Sequence, residues 1–343
     1  MSTTKLSFLE NLVVFVFFGS HIFFNWIFVA IALYALLPTW IFILLGISYF
    51  VNMLMSKAHL KGNPTRWKAI CDSILTNAPL KYFDTKVLFS NGMNLDRKKH
   101  YIFGIHPHGI FGFGGLSIYA STSELLRRFP WLDIYICVAT VMFRIPILRE
   151  YFLLTGHVDA SRKNVNRLLA NRRTIAIVIG GEAEVLQTEN SKEKVVILGR
   201  YGFVEMAIKH GASLVPTYSF GVNDTFTIDK TSGFWIRNKI QRMFKLAIPI
   251  FWGRWGTSMP HKKQVYFAVG KPIDIPPGKG LDGDGNPDPQ FVSEIHKKYI
   301  EALKDLFEEH KAAAGYPDRQ LEFLEAPKRK KRRKFISEIK KAA

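Results

Sequence analysis

Residues 101–115 read YIFGIHPHGIFGFGG. The first five are apolar and suited to a strand, and they empty into His106-Pro107-His108-Gly109. Gly109, Gly112, Gly114 and Gly115 then hold the backbone open before a helix-like segment begins at Leu116. Histidine is the side chain best suited to taking and returning a proton near neutral pH. Two of them at a strand's exit, beside glycines that leave room for a substrate, predict a catalytic turn.

The same logic extends along the chain. Further strands are expected at Tyr135–Val141, Thr174–Ile179, Ser213–Phe220 and Val265–Val269, each apolar and often β-branched, as strands buried on both faces are. Helices are expected between them at Leu116–Phe129, Arg162–Asn171 and Phe203–His210, and later at Phe291–Lys311. The alternation predicts an α/β fold with a mixed, largely parallel sheet flanked by helices. Functional loops in such sheets gather beyond the carboxyl ends of the strands, where both His106–Gly109 and Gly180–Glu184 fall. The acidic loop Gly278–Gln290 invites a calcium reading. Pro287 stands where an EF-hand needs glycine and Ser293 where it needs glutamate, so a solvated turn is expected and no metal site.

With 343 residues the chain can bury a full core. Lys and Arg number 47 against 28 Asp and Glu, a net charge of +19 that favours anionic partners. Cys71 and Cys137 make neither a disulfide framework nor a zinc spacing. From Leu12 to Met55 no residue is charged. At about 1.5 Å per residue this tract could cross a roughly 30 Å hydrocarbon layer twice, with a break at Leu36-Leu37-Pro38-Thr39. Lys5 before it and Lys57, Lys61, Arg66 and Lys68 after it place both ends on the cytosolic side. The expected organisation is an N-terminal transmembrane helical hairpin at residues 1–60, a domain at 61–327 and a basic tail at 328–343. A basic amphipathic stretch, Ala58–Leu80, is expected to lie on the membrane surface. Lys328–Lys334 is seven consecutive basic residues, whose readings are a contact with an anionic leaflet, a solvated tail, or a nuclear signal or nucleic-acid arm, the leaflet being favoured over the last by the apolar N-terminal tract. No zinc finger, RNA-recognition or helix-turn-helix pattern is present, so nucleic acid is not an expected partner.

Several elements recur together. His106-Pro107-His108-Gly109 resembles the HPHG motif of the type 2 diacylglycerol acyltransferase family, which takes in monoacylglycerol acyltransferases and wax synthases. Pro146-Ile147-Leu148-Arg149 resembles its PxxR element and Gly180-Gly181-Glu182-Ala183-Glu184 its GGxxE element. Arg200-Tyr201-Gly202-Phe203, then Leu214-Val215-Pro216 and Phe220-Gly221, resemble its RxGF…LVP…FG block, and Val269-Gly270-Lys271-Pro272-Ile273 its late glycine-proline element. The likeness runs from about Tyr82 to Phe307. It implies a glycerolipid acyltransferase-like fold and transfer of a fatty acyl group from acyl-CoA to diacylglycerol, with acyl-CoA as co-substrate and no permanently bound cofactor. It implies membrane lipid as a partner, the cytosolic face of the endoplasmic reticulum as location and the lipid droplet surface as a further one. Monoacylglycerol, long-chain alcohols and lysophospholipid are the alternative acceptors, a non-catalytic lipid-binding protein is the alternative class, and self-association stays open.

The residues support that chemistry on their own terms. A hydroxyl is a poor nucleophile until a base accepts its proton, and His108 is the expected base because Gly109 leaves room beside it. His106 is expected to be structural or to polarise the thioester carbonyl. Glu184, with Glu182 behind it, is the expected carboxylate that orients the imidazole, since Phe111 and Phe113 stand where a more local acid would be. The turn containing Gly109 and Gly112 could aim N–H groups at an oxyanion. Arg149, Arg162 and Arg200 are the candidates for the phosphates of acyl-CoA. Two positions depart from the family pattern. Tyr82-Phe83-Asp84 replaces Tyr-Phe-Pro, and Glu205 stands where Lys or Arg is usual.

Overall fold

The computed structural model describes residues 6–20, 25–61, 68–229 and 249–327. Eleven strands lie among them: β1 (Lys86–Phe89), β2 (Tyr101–His106), β3 (Ile134–Val138), β4 (His157–Asp159), β5 (Thr174–Val178), β6 (Glu193–Leu198), β7 (Ser213–Phe220), β8 (Thr227–Asp229), β9 (Ile250–Trp252), β10 (Tyr266–Val269) and β11 (Leu321–Glu325). Seven form one sheet in the order β1-β10-β7-β2-β5-β3-β4. β7, β2, β5, β3 and β4 run parallel, and β10 joins β7 antiparallel with β1 beside it. The sheet is therefore mixed and mostly parallel, as the alternation of elements implies. β2 lies at its centre, paired on both edges, so the exit of the most protected strand carries the His106–His108 turn.

Every residue of β2 is buried, and its side chains alternate between two cores. Tyr101, Phe103 and Ile105 enter one with Phe113, Phe226 and Phe267, while Ile102 enters the other with Ile175, Phe203, Tyr299 and Phe307. The helices Arg162–Ala170, Gly202–His210 and Pro289–His310 supply the second face. The expected helix Leu116–Phe129 is two short pieces, Leu116–Tyr119 and Glu124–Arg128, because Ser123 opens a new helix by capping the N–H of Leu126.

The N-terminal tract divides differently from its composition. Helices occupy Phe8–Ser20, Asn25–Leu36 and Thr39–Met55, with the break at Leu37-Pro38. Thr39–Leu60 is the one stretch among the described residues long and apolar enough to cross a membrane, and none of Thr39–Met55 is buried. Helix Phe8–Ser20 instead docks on the body. Val14, Phe17 and Phe18 enter the first core, and Lys81 pairs with Glu10 at 2.9 Å. A two-legged hairpin is thus not established, because one face of its first leg belongs to the protein core. Part of Ala58–Leu80 is likewise core rather than membrane surface, with Thr76, Ala78 and Leu80 buried; residues 62–67 lie outside the described residues.

The rings of Phe18 and Phe113 stand 4.8 Å apart, with Phe83 5.4 Å from Phe18. Phe18→Ala should therefore lower stability by about 3–5 kcal/mol in thermal melts. An unchanged melt would mean that the helix is not part of the folded body.

Candidate active site

The turn after β2 is fixed by its backbone. Gly109 has φ +61°, and a Cβ there would stand 2.4 Å from Cγ1 of Val222, so this position admits only glycine. Gly112, at φ +67°, donates its N–H to the His108 carbonyl at 2.9 Å and closes the turn. That N–H is spent within the turn, so the oxyanion role expected of Gly112 is replaced by a structural one.

His108 is half-buried at the mouth of the sheet. Its Nδ1 lies 3.0 Å from the Gly109 carbonyl oxygen. A carbonyl can only accept, so the proton sits on Nδ1 and the lone pair on Nε2. Burial lowers the pKa of the ring from its ordinary 6.5, against the opposing pull of hydrogen bonds to Gly109 and His108 backbone. The imidazole is consequently neutral near pH 7, in the tautomer that a general base requires.

Glu184 meets His108 through the main chain. Its Oε1 accepts the His108 backbone N–H at 2.5 Å and its Oε2 accepts the Val196 N–H at 2.7 Å. The carboxylate therefore ties the His108 turn to β6 and leaves the ring to Gly109, whereas the sequence suggests a direct ring partner. Burial pushes the pKa of Glu184 up to about 7, outweighing both N–H bonds and the charge of Arg200. Glu182, the second choice, is exposed on the first turn of helix Gly181–Gln187, the turn that also carries the buried Glu184.

His106 has no exposed surface. Burial drives its pKa down to about 3, so it stays neutral. Its Nε2 lies 3.2 Å from the hydroxyl of Tyr299, which reaches in from helix Pro289–His310. The histidine is enclosed behind the strand exit, against Tyr299. Tyr299 was invisible as a site residue, since its spacing with Ile295 and Leu303 reads as core packing. The available signal was Gly104, a glycine inside a strand, which marks a close approach. A Cβ at Gly104 would stand 1.9 Å from the Tyr299 hydroxyl oxygen.

An aromatic wall flanks the turn. Phe111 meets Phe113, Phe226 and Phe251 at centroid distances of 5.5, 5.4 and 5.3 Å. Residues 244–248, which precede Phe251, lie outside the described residues. The three arginines do not converge. Arg149 is buried and pairs with Glu150 at 2.5 Å. Arg162 and Arg200 stand together at a cavity of about 420 Å³. Arg200 donates to the Gly180 carbonyl at 2.9 Å and Arg162 to Glu205 at 2.8 Å. Glu205 is thus the counter-charge of Arg162, which accounts for an acid at that position. Asp84 sits at φ +43°, a conformation closed to the proline it replaces. Asn223 and Asp224 join a buried structural network, with Asn223 donating to Glu193 and Arg319 bridging Glu193 and Asp224.

Fold and turn together define an α/β protein with a neutral, partly buried histidine just beyond the exit of its central strand. The sequence matches the model of the Diacylglycerol acyltransferase family over residues 32–324, and the chain belongs to that family. It is 36% identical over 243 residues to Diacylglycerol O-acyltransferase 2 of Bos taurus, covering 66% of this chain and 65% of that one. The Homo sapiens protein of the same name is also 36% identical, with 66% and 61% covered. 2-acylglycerol O-acyltransferase 1 of Mus musculus is 35% identical over 240 residues, with 66% and 70% covered. The match thus spans less than two thirds of the length of the first two relatives. A solved structure, the 1-acyl-sn-glycerophosphate acyltransferase of Thermotoga maritima, superposes with a TM-score of 0.38 at 15% identity, over 86% of this chain and 97% of that one.

Proposed function

We propose that this chain is an acyl-CoA-dependent O-acyltransferase that forms triacylglycerol from diacylglycerol. The observation that carries the reading is the His108 ring, neutral, only partly buried and held by Gly109 with Nε2 available. In the reaction, Nε2 takes the proton of the acceptor hydroxyl as the oxygen attacks the thioester carbonyl. The Gly109 turn faces the developing oxyanion, the C–S bond breaks, and the sulfur leaves as the thiol of coenzyme A on receiving that proton. His108 ends neutral, ready for another turnover. An acyl-enzyme on cysteine is disfavoured by position: Cys71 and Cys137 are both buried, and burial pushes the Cys137 thiol up to about 12.

The apolar stretch Thr39–Leu60 supports a membrane location, where a bilayer-dissolved acceptor reaches the turn past Phe111 and Phe251. The cytosolic face of the endoplasmic reticulum, with the lipid droplet surface as a second site, is part of this proposal. Monoacylglycerol is the second acceptor to test, because the relative named 2-acylglycerol O-acyltransferase 1 matches about as well as those named for diacylglycerol.

The test is to incubate the purified full chain with labelled oleoyl-CoA and a panel of diacylglycerol, monoacylglycerol, hexadecanol and lysophosphatidate. Labelled triacylglycerol from diacylglycerol is expected as the main product. Release of free oleate alone, or transfer confined to lysophosphatidate, would overturn the assignment.

A further inference from the structure

The cavity beside Arg162 and Arg200 lies on the sheet face that carries Ile102, away from the aromatic wall of the His108 turn. Val165, Ile175, Ile177, Ile179, Phe203 and Met206 form its walls. Its volume of about 420 Å³ falls within the range of small-molecule sites. No residue of the 106–115 turn lines it. One edge is closed by Ala326 and Pro327, where the Ala326 N–H bonds the Leu198 carbonyl at 2.8 Å. From Pro327 the sequence continues into the seven basic residues Lys328–Lys334.

We propose that this cavity binds a single-chain anionic amphiphile, with the acyl chain against the apolar wall and a compact negative head at Arg200 and Arg162. A long-chain fatty carboxylate is the simplest molecule of this kind. The positive charge sits directly on the rim of the apolar space. Coenzyme A separates its phosphates from the acyl chain by the whole pantetheine arm, so a donor with its chain in the cavity would carry its phosphates past the rim. Diacylglycerol has no charge for the arginines to meet. Arg162 pairs with Glu205 at 2.8 Å and Arg200 donates to the Gly180 carbonyl at 2.9 Å, so both guanidinium groups are held at the place where the head would meet them. This site is separate from the proposed transfer reaction and stands or falls independently of it.

The experiment uses the full chain in phosphatidylcholine nanodiscs and palmitic acid carrying a diazirine at the end of its chain. After irradiation, adducts are mapped by mass spectrometry. Adducts are expected on the segments 175–179 and 202–206, and excess palmitate should remove them. Losing a charge-assisted hydrogen bond should cut this labelling about tenfold in Arg200→Gln, and hexadecanol bearing the same diazirine should label the cavity about tenfold less in the unaltered chain. Met206→Trp, which fills the space, should also remove the adducts, with a thermal melt to verify folding. Three results would overturn the proposal: adducts confined to the N-terminal helices, equal labelling by acid and alcohol, or displacement by palmitoyl-CoA as effective as that by palmitate. The last would assign the cavity to the acyl donor.

Discussion

His108→Ala should abolish acyl transfer while leaving the protein folded. A positioned histidine supplies about 10²–10⁴-fold in rate when it moves the reacting proton, and the substitution should remove all of it. The fold should survive because the ring is half-buried and its hydrogen bond is to the adjacent Gly109 carbonyl. The bond between Glu184 and the main-chain N–H of residue 108 does not depend on the side chain. Labelled oleoyl transfer and a thermal melt, run on the same preparation, separate the two effects. His106→Ala is the informative contrast. It opens a void in the core under Tyr299, so its loss of activity should come with a lowered melt.

Glu184→Gln should act on stability, with a sign that depends on pH. The carboxyl accepts two main-chain N–H groups, one on each oxygen. A glutamine must turn its NH₂ toward one of them, leaving a buried donor unsatisfied at a cost of about 1–3 kcal/mol. The folded pKa is raised from 4.5 to about 7. A carboxyl with a raised pKa contributes its stability fully below the unfolded value and loses it as pH rises through the folded one. Unaltered protein should therefore lose on the order of 3 kcal/mol from this group across that window. The glutamine variant, with nothing to titrate there, should lack that slope. Denaturant unfolding of both proteins at the two ends of the window gives the difference. Identical slopes would show that Glu184 is ionised throughout.

Much of the sheet was legible because continuous apolar runs such as Ser213–Phe220 and Tyr101–Ile105 have no stable place except between two cores. β6 escaped notice because Glu193 and Lys194 open it with charge, and the first of these is buried only through Tyr218, Asn223 and Arg319 far along the chain. β4 is three residues long, too short to show a period. The absence of charge between Leu12 and Met55 could not separate a helix packed on protein from one facing lipid, since both surfaces are apolar. Phe18 packs on protein, whereas Leu44 is exposed.

At the site, the histidines were legible from their place after a strand and beside glycine. Their division of labour was not, because it depends on which side of the sheet each ring falls. His106 continues the alternation of β2 and turns inward to Tyr299, while His108 lies beyond the strand. The partnership of Glu184 with a main-chain N–H has no sequence signal, since any residue but proline at 108 presents the same group.

The pH dependence of kcat/KM for oleoyl transfer to diacylglycerol tests the central claim most directly. A general base must be neutral, and burial holds the pKa of His108 below its ordinary 6.5. The rate should therefore be level above that value and fall on the acid side with an apparent pKa beneath it, and His108→Ala should lack this limb in whatever activity remains. A residual activity in His108→Ala that keeps the same acid limb would place the base on another residue and contradict the account.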